Sequence, residues 1–416
     1  MQSLKIGLLL GWRQIQRASL WTNLLIVFVM MLTFLNLIAV SGILVGLIVG
    51  AEVAVREKSL GDIIISPRDD EDHILETERF VRELSAYPEV SAYSVRYKGA
   101  GVLEANYQLR RNLSGERDIA NVTVTGIDPK SEERMTALAD ELIAGEYLSP
   151  EDEGKILLGA LYTKEYASNY GDIFETVEGV EVGDTVRLTS GSITKEFVVK
   201  GIVQSKVDEV SLNTYIPERE FRRLFNRIDR NADQVVVRLY QPNDNIKLKE
   251  AMVGSGLGNL AKIQTYEEGV PKFLTDIKNT MNLLGTFIGS IGLVVASITI
   301  FIIIFINALA RRRYIGILKG IGIDQQAIEC AYVVQAGIYA IVGALLGVVV
   351  TYAMLIPYFK ANPINFPFSD GILVAPIEET AVRFVILLIT TLIAGFIPAF
   401  MIARGNTLNA ILGRKN

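Results

Sequence analysis

Four long runs of apolar residues dominate the hydrophobicity pattern of this chain. They cover residues 20–50, 283–309, 331–356 and 384–403, and the first run contains no charged residue. A helix needs about 20 predominantly apolar residues to cross a bilayer, and lipid offers no partner to backbone polar groups outside the helix. The pattern therefore predicts four membrane-spanning helices, one before and three after a long polar stretch.

Between the first and second runs, the chain alternates strand and helix patterns. Strands are predicted at 62–66, 90–96, 101–105, 121–127 and 234–239, and a hairpin at 183–189 and 195–203. Helical spacing predicts helices at 76–87 and at 131–142, the second capped by Ser131. We therefore expect a large α+β domain at 51–275 between the first and second transmembrane helices, with a division into two lobes near 145–215 as one option.

The net charge of −5 conceals two populations of residues. Residues 51–275 hold 28 Lys and Arg against 40 Asp and Glu, whereas the rest of the chain holds 13 against 6. If every run spans once, the basic flanks of the spans share one side, which the positive-inside rule assigns to the cytoplasm. The 51–275 domain and the 357–380 loop are then extracytoplasmic. The flanking basic residues are Lys5, Arg13, Arg17, Arg311, Arg312, Arg313, Lys319, Arg404, Arg414 and Lys415.

The segments around the spans complete the expected organisation. Residues 1–19 carry apolar side chains at helical spacing with basic ones, which favours a cytoplasmic interfacial helix over a plain extension of the first span. The first run is too long for the core of a signal peptide, so we expect a retained helix that continues as a stalk along 51–60. A cytoplasmic loop at 310–328, a fourth transmembrane helix at 381–404 and a cytoplasmic tail at 405–416 follow.

The sequence contains little that indicates catalysis. It lacks the phosphate-binding pattern G-x-x-x-x-G-K-[ST]. The chain has one cysteine, Cys330, so it cannot form a disulfide within itself. Because it also has one histidine, His73, a metal cluster of His and Cys ligands is excluded. The runs are almost free of charge, which argues against an ion pathway. We expect a non-catalytic membrane protein without a cofactor and without nucleic-acid binding. Close helix contacts are predicted at Gly289, Gly292, Gly337, Gly343 and Gly347.

The loop 310–328 resembles the corresponding loop of ABC-transporter permeases of the macrolide-exporter, lipoprotein-release and FtsX-like type. In that family a charged run precedes a short glycine-containing motif, which this chain matches at Ile315, Gly316, Ile317, Lys319, Ile321 and Gly322. Tyr314 stands where the family usually has an acidic residue. The ending 395–412, with Pro398, Ala399, Ala403, Arg404 and Ala410, resembles the family's C-terminal pattern, and segments of 51–275 resemble its periplasmic core domain.

The resemblance implies that residues 310–328 carry a coupling helix that fits a groove on a separate ABC ATPase. The residues expected to form this site are Arg313, Tyr314, Ile315, Gly316, Ile317, Lys319 and Gly322. It also implies a dimer with a second permease copy or a paralogue in the plasma membrane of a bacterium or archaeon, with an extracytoplasmic adaptor or substrate protein as a further partner. ATP hydrolysis by the partner would move the outer domain to export or extract a hydrophobic substrate or a lipoprotein.

Other interpretations of the same features stay open. An FtsX-like mechanotransmitter would use the same loop to regulate an extracytoplasmic enzyme, such as a cell-wall hydrolase. The basic loop could also serve only to anchor the chain to lipid. A membrane-anchored sensor or adhesion domain would leave the three C-terminal spans without a role.

Overall fold

The computed structural model describes residues 2–109, 117–168, 173–270, 272–366, 369–371 and 373–403. The chain forms two compact units. The helical unit comprises Met1–Gly50, Thr275–Phe366 and Asp370–Asn416, and the α/β unit comprises Ala51–Leu274 with Pro367–Ser369. The predicted tail at 405–416 and the predicted matches Arg404 and Ala410 lie outside the described residues.

The described helices are numbered in chain order, and π-helical turns at Arg56–Leu60 and Thr351–Leu355 extend the second and the twelfth. They are α1 Gln2–Gln16, α2 Leu20–Val55, α3 Thr77–Leu84, α4 Pro129–Thr136, α5 Lys164–Ala167, α6 Asp208–Ser211, α7 Glu218–Leu224, α8 Asn245–Gly254, α9 Tyr266–Gly269, α10 Lys272–Ala310, α11 Arg312–Gly320, α12 Gln325–Val350, α13 Ile356–Ala361 and α14 Ile377–Ala403.

Four stretches of helix within the described residues are long and apolar enough to cross a membrane. They are Leu20–Leu60, Thr275–Ala310, Gln325–Ala361 and Ile377–Met401. A large α/β region lies between the first and the second of them. The predicted fold class, one span, a mixed domain and then three spans, is confirmed.

Glycines let helices of the helical unit approach closely. A Cβ built on Gly343 of α12 would lie 2.4 Å from the Cβ of Met30 on α2, and one on Gly395 of α14 would lie 2.7 Å from Ala336 of α12. A contact this short leaves no room for a side chain, as is common where membrane helices pack. The prediction for Gly289 is wrong, because a Cβ there would meet no described atom within 4 Å. Cβ atoms at Gly292, Gly337 and Gly347 would come within 3.2 Å of a neighbouring side chain.

The α/β unit is built on one ten-stranded sheet, in the order β10-β1-β9-β2-β3-β8-β5-β7-β4, with β6 paired to β2 and β7. The strands are β1 Ile63–Ser66, β2 Val90–Ala105, β3 Asp118–Ile127, β4 Leu142–Gly145, β5 Lys155–Gly159, β6 Thr185–Ser190, β7 Ile193–Val203, β8 Asn213–Pro217, β9 Gln234–Leu239 and β10 Lys262–Thr265. Two further short strands, β11 Ile364–Phe366 and β12 Ser369–Gly371, pair with each other.

This sheet corrects two predictions for residues 51–275. The predicted strands 90–96 and 101–105 are one strand, β2, because β2 pairs with β3 without a break from Arg96 to Ala105. At Gly99 the Phe225 ring occupies the space that a side chain would need. The optional division into two lobes is wrong, because β6 bridges β2 and β7 and all ten strands form one sheet. Phe80, Phe197 and Phe221 are fully buried in the core that this sheet helps to form.

Local turn chemistry accounts for one confirmed prediction and one correction. The predicted hairpin is confirmed, since β6 and β7 are antiparallel with Ser190 opposite Ile193, and Gly191 adopts the positive φ of 56° that such tight turns favour. The predicted helix 131–142 begins earlier and ends earlier. Asp128 rather than Ser131 is its cap, and α4 stops at Thr136 because Ala137 has a φ of 51°.

A buried ion pair joins β2 to α4 inside the α/β unit. The Arg96 guanidinium lies 2.6 Å from a carboxylate oxygen of Glu132, and the Ser94 hydroxyl donates to the same carboxylate at 2.6 Å. Burial alone would raise the pKa of Glu132, but the charge of Arg96 and the hydrogen bonds from Arg96, Ser94 and Thr136 together hold that pKa below its usual value. The carboxylate is therefore ionised and fully paired in the core.

Candidate functional site

The helix α11 forms most of the loop between the second and third spans and is anchored along one side. Ile315 and Leu318 are only 3% and 7% exposed, and both belong to the core of the helical unit together with Ile304 and Ile328. They are three residues apart, so they lie on the same face of the helix. This buried face fixes the rotation of α11 about its own axis.

The opposite side of α11 is apolar, and the described residues do not cover it. Tyr314 and Ile317 are each 47% exposed, and Ile321, just beyond the last helical residue, is 70% exposed. Their spacing of three and four residues places them on one side. Arg313 is also exposed, and Lys319 is half-buried. The strip is therefore apolar and has basic side chains at its rim.

The end of α11 is set by a glycine. Gly322 has a φ of 90°, its N–H donates to the Lys319 carbonyl at 3.1 Å, and the next N–H, of Ile323, donates to the Leu318 carbonyl at 3.0 Å. These two bonds and the left-handed residue are the Schellman arrangement that terminates helices. α12 then begins directly, with the Asp324 side chain accepting from the Gln326 N–H. The orientation of α11 against α12 is thus fixed at both ends of a very short connection.

The predicted site residues therefore fall into two groups in space. Arg313, Tyr314 and Ile317 present side chains to the outside, whereas Ile315 and Gly316 are buried. Sequence reasoning missed Leu318 as an anchor. Its spacing of three from Ile315 was the available signal. Ile321, counted only as a motif match, belongs to the exposed strip.

A second feature concerns the C-terminal end of α2, whose last residues belong to the α/β unit. The Arg56 guanidinium lies 2.5 Å from Asp62, and the Tyr266 hydroxyl donates to the Glu52 carbonyl at 3.0 Å. Asp62 in turn accepts from the Leu239 N–H at 2.7 Å. The segment 52–62, which we call the joint, is therefore held to β9 and α9 by polar contacts.

The π-helical turn Arg56–Leu60 within the joint adds further contacts. Lys58 pairs with Glu141 at 2.8 Å, and the Ser59 hydroxyl donates to Glu209 at 3.1 Å. Leu60 is buried. These contacts come from separate elements of the α/β unit, so a displacement of this end of α2 has to displace them as well.

The C-terminal part of the chain matches a known family. The family model described as FtsX-like permease C-terminal matches residues 286–407. That range includes α11 and its exposed strip. The predicted family motif near the C-terminus maps to α14, where Pro398 lies inside the helix and Ala399 is buried.

Comparison with known proteins adds one curated relative and two solved structures. The macrolide export ATP-binding/permease protein MacB of Campylobacter jejuni subsp. jejuni serotype O:23/36 (strain 81-176) is 23% identical over 235 residues, which cover 52% of this chain and 34% of that protein. The chain thus spans about a third of the length of this relative.

The two structures are similar to about half of the chain. One is the periplasmic region of MacB from Actinobacillus actinomycetemcomitans, with 16% identity, a TM-score of 0.35, and coverage of 51% of this chain and 92% of that one. The other is the extracellular domain of the noncanonic ABC-type transporter YknZ from Gram-positive bacteria, with 11% identity, a TM-score of 0.33, and coverage of 49% and 98%. Both TM-scores are below 0.5.

The family match begins within the second span and covers the third and fourth, and the fold carries one span and a large α/β unit ahead of them. The four apolar helices identify a membrane protein. Residues 286–407 thus match the FtsX-like permeases, and the chain is similar to ABC-type permeases of the MacB and FtsX-like type.

Proposed function

We propose that this chain is the membrane subunit of an ABC transporter whose ATPase is a separate protein, and that α11 is the element that receives force from that ATPase. The exposed strip formed by Tyr314, Ile317 and Ile321 supports this proposal most directly, because it is apolar, lies within the FtsX-like range and is left uncovered by the described residues. Arg313 and Lys319 would contribute charge at its rim.

The anchoring of α11 explains how force would enter the membrane helices. Ile315 and Leu318 are buried in the same core as residues of α10 and α12, and Gly322 closes the turn between α11 and α12. Protein interiors are close-packed and transmit strain. A push on the exposed strip would therefore shift α10 and α12 rather than bend a loose loop.

The outer end of the pathway is the joint. α2 is helical without interruption from Leu20 to Val55, and its final residues are held in the α/β unit by Arg56, Ser59 and their partners. On this proposal, movement of the spans is delivered to the α/β unit through the joint. The unit would then act on a hydrophobic substrate or a lipoprotein for export or extraction.

The same proposal carries an orientation and an assembly. The segments 1–19, 310–328 and 405–416 would face the cytoplasm, and the regions 51–275 and 357–380 would lie outside. Two ATPases need two coupling helices, so the working form would contain two permease chains, identical or paralogous. No catalytic role is assigned to this chain, and ATP hydrolysis belongs to the partner.

One substitution tests the coupling assignment. Ile317→Asp places a charge in the exposed strip and is expected to abolish co-purification of the ATPase from the native host while membrane insertion is retained. Ile228→Asp is the matched control, because Ile228 is 88% exposed in the α/β unit and outside the strip. Unchanged co-purification of the ATPase with Ile317→Asp would remove the coupling role of α11.

The proteins recovered with the wild-type chain separate the two functions that share this mechanism. Recovery of the ATPase with a lipid-linked or hydrophobic cargo supports export or extraction. Recovery of a cell-wall hydrolase bound through the α/β unit would instead support the FtsX-like mechanotransmitter.

A further inference from the structure

A basic groove lies between α1 and the start of α11, within the helical unit. It is a cavity of about 330 Å³ whose lining includes the guanidinium side chains of Arg13, Arg17 and Arg311. Leu9 and Tyr314 contribute apolar surface to the same cavity. The groove therefore combines three cations with a hydrophobic wall, a combination that none of the features described so far uses.

The groove is rigid because α1 is packed tightly onto α12. A Cβ on Gly7 would lie 2.7 Å from the Cβ of Cys330, and one on Gly11 would lie 2.7 Å from the Ala331 carbonyl. Glycines four residues apart on one helix let the two backbones meet. The position of Arg13 and Arg17 relative to α12 is therefore determined by backbone contact.

A polar chain fixes the other end of α1. The Asn23 amide donates to the Ile15 carbonyl at 2.8 Å, and the Tyr339 hydroxyl donates to the Asn23 side-chain oxygen at 2.5 Å. Gln335 donates to the Tyr339 hydroxyl at 3.2 Å. This chain of hydrogen bonds ties α1, α2 and α12 together, and its contact on α1, Ile15, lies between the two arginines in sequence.

The polar groups in the groove are not satisfied by the described residues. Among the described residues, no carboxylate lies within ion-pair distance of Arg13, Arg17 or Arg311. Gln14, which also lines the groove, is only 7% exposed, and its side-chain oxygen has no hydrogen-bond partner in the described part of the chain. The three unpaired cations leave room for an anionic ligand, and the unpaired Gln14 oxygen, which is an acceptor, requires a donor such as a hydroxyl group on that ligand.

The surroundings of the groove indicate which anion it would meet. Leu8, Leu9 and Trp12 of α1 are each at least 50% exposed. An amphipathic helix with an exposed apolar face and arginines beside it is typical of a segment that lies in the membrane interface. At that depth the abundant anions are lipid phosphates, and the apolar wall suits the first carbons of an acyl chain.

We infer that the basic groove is a binding site for the phosphate-bearing headgroup of an anionic phospholipid. This site goes beyond the proposed function, since lipid binding requires neither an ATPase nor a cargo. One consequence rests on the proposed function: because Tyr314 belongs both to the groove and to the exposed strip, a bound lipid would set the position of the strip that meets the ATPase.

The test uses the full-length permease, purified without its ATPase, and native mass spectrometry with added phosphatidylglycerol or phosphatidylcholine. Arg13→Gln/Arg17→Gln removes two of the three cations, and Lys5→Gln is the matched control because Lys5 is exposed on the same helix outside the groove. A basic residue near an anionic lipid surface is worth about five-fold in affinity. The double variant should therefore bind phosphatidylglycerol about 25-fold more weakly, and Lys5→Gln should match the wild type.

The same binding measurements distinguish a lipid site from a site for free phosphate and from the absence of a specific site. Equal retention of the two lipids by the wild type, or equal losses in Lys5→Gln and the double variant, would overturn the inference. Displacement of phosphatidylglycerol by an equal concentration of inorganic phosphate would show that the groove binds free phosphate, and would overturn the lipid assignment.

A second measurement tests the lipid site even if the double variant fails to fold. In a Trp21→Phe background, Trp12 is the single tryptophan and lies beside Arg13. Brominated phosphatidylglycerol should quench its fluorescence at least two-fold more than brominated phosphatidylcholine does. Equal quenching would overturn the lipid site whatever the behaviour of the variants. Both the mass spectrometry and the fluorescence quenching are measured without an ATPase. They therefore test lipid binding whether or not α11 couples to an ATPase.

Discussion

The two faces of α11 can be separated by a pair of identical substitutions. Ile315 and Ile317 are two residues apart, but the first is 3% exposed and the second 47% exposed. Ile315→Ala empties part of the core and should cost about 2–5 kcal/mol of stability in the helical unit. Ile317→Ala removes a side chain that packs only partly against this chain, so its cost should stay within about 0.5 kcal/mol.

For binding of the ATPase, Ile317→Ala should have the larger effect and Ile315→Ala the smaller. Complete burial of an isoleucine side chain is worth about 1.5–3 kcal/mol, and about half of Ile317 is available to a partner. Losing that half should weaken binding of the ATPase by about 1 kcal/mol, or roughly five-fold in Kd. Ile315→Ala should change the Kd less than this, as long as the measurement is made well below its melting temperature.

Two assays on the same purified proteins test this separation. Thermal unfolding in detergent measures the stability of the helical unit, and titration of the purified ATPase measures the Kd. A melting temperature of Ile317→Ala as low as that of Ile315→Ala would show that both faces are buried in this chain. A Kd for Ile317→Ala equal to that of the wild type would refute the exposed strip as the contact.

Four further predictions concern other parts of the chain. Gly322→Ala places a Cβ at a φ of 90° and should lower stability by about 1 kcal/mol in thermal unfolding, whereas Gly320→Ala, inside α11, should not. Gly343→Leu should cost about 1–3 kcal/mol or prevent assembly of the helical unit, because α2 backbone and side chains occupy the space. Glu132→Ala should cost about 3–5 kcal/mol in the α/β unit, measured by hydrogen exchange of β2 and α4, because its arginine partner is left buried and unpaired. Folding lowers the pKa of Glu132 from about 4.5. The contribution of the Glu132 carboxylate to folding stability is therefore complete above pH 4.5 and is lost as the pH falls through the pKa of the folded state. Acid should thus destabilise the wild type more than it destabilises Glu132→Gln.

The membrane architecture was predictable because the bilayer imposes a simple rule on sequence. A run such as 20–50 has no charge and no alternative to a spanning helix, and the structure contains a continuous helix there. The hairpin at β6 and β7 was equally predictable, since a glycine two residues before a strand pattern fixes the turn locally. Both signals are contained in consecutive residues.

Other features depended on contacts between distant residues. The order of the ten strands, and the continuity of β2 through Gly99, are set by pairing with distant strands such as β3, which no local pattern reveals. The buried pair of Arg96 and Glu132 joins a strand to a helix that lies 36 residues away in sequence. Periodicity identifies such residues only as polar and assigns them to the surface.

The candidate site lies between these two cases. The motif at 315–322 could be found in the sequence, but its division into a buried and an exposed face could not, because apolar residues occur on both sides of α11. Leu318 and Ile321 acquire their roles only when the core of the helical unit is known. The joint at Arg56 and Asp62 was visible only as a helical extension.

The proposed function requires that the exposed strip of α11 touches a nucleotide-hydrolysing partner in the working membrane. A photo-crosslinking amino acid placed at position 317, with the same probe at 228 as control, measures that contact in native membranes. We expect a covalent adduct between position 317 and an ABC ATPase, with a yield that changes when ATP is added, and none from position 228. If position 317 yields no adduct with a nucleotide-binding protein, or if both positions yield it equally, α11 is not the contact with the ATPase.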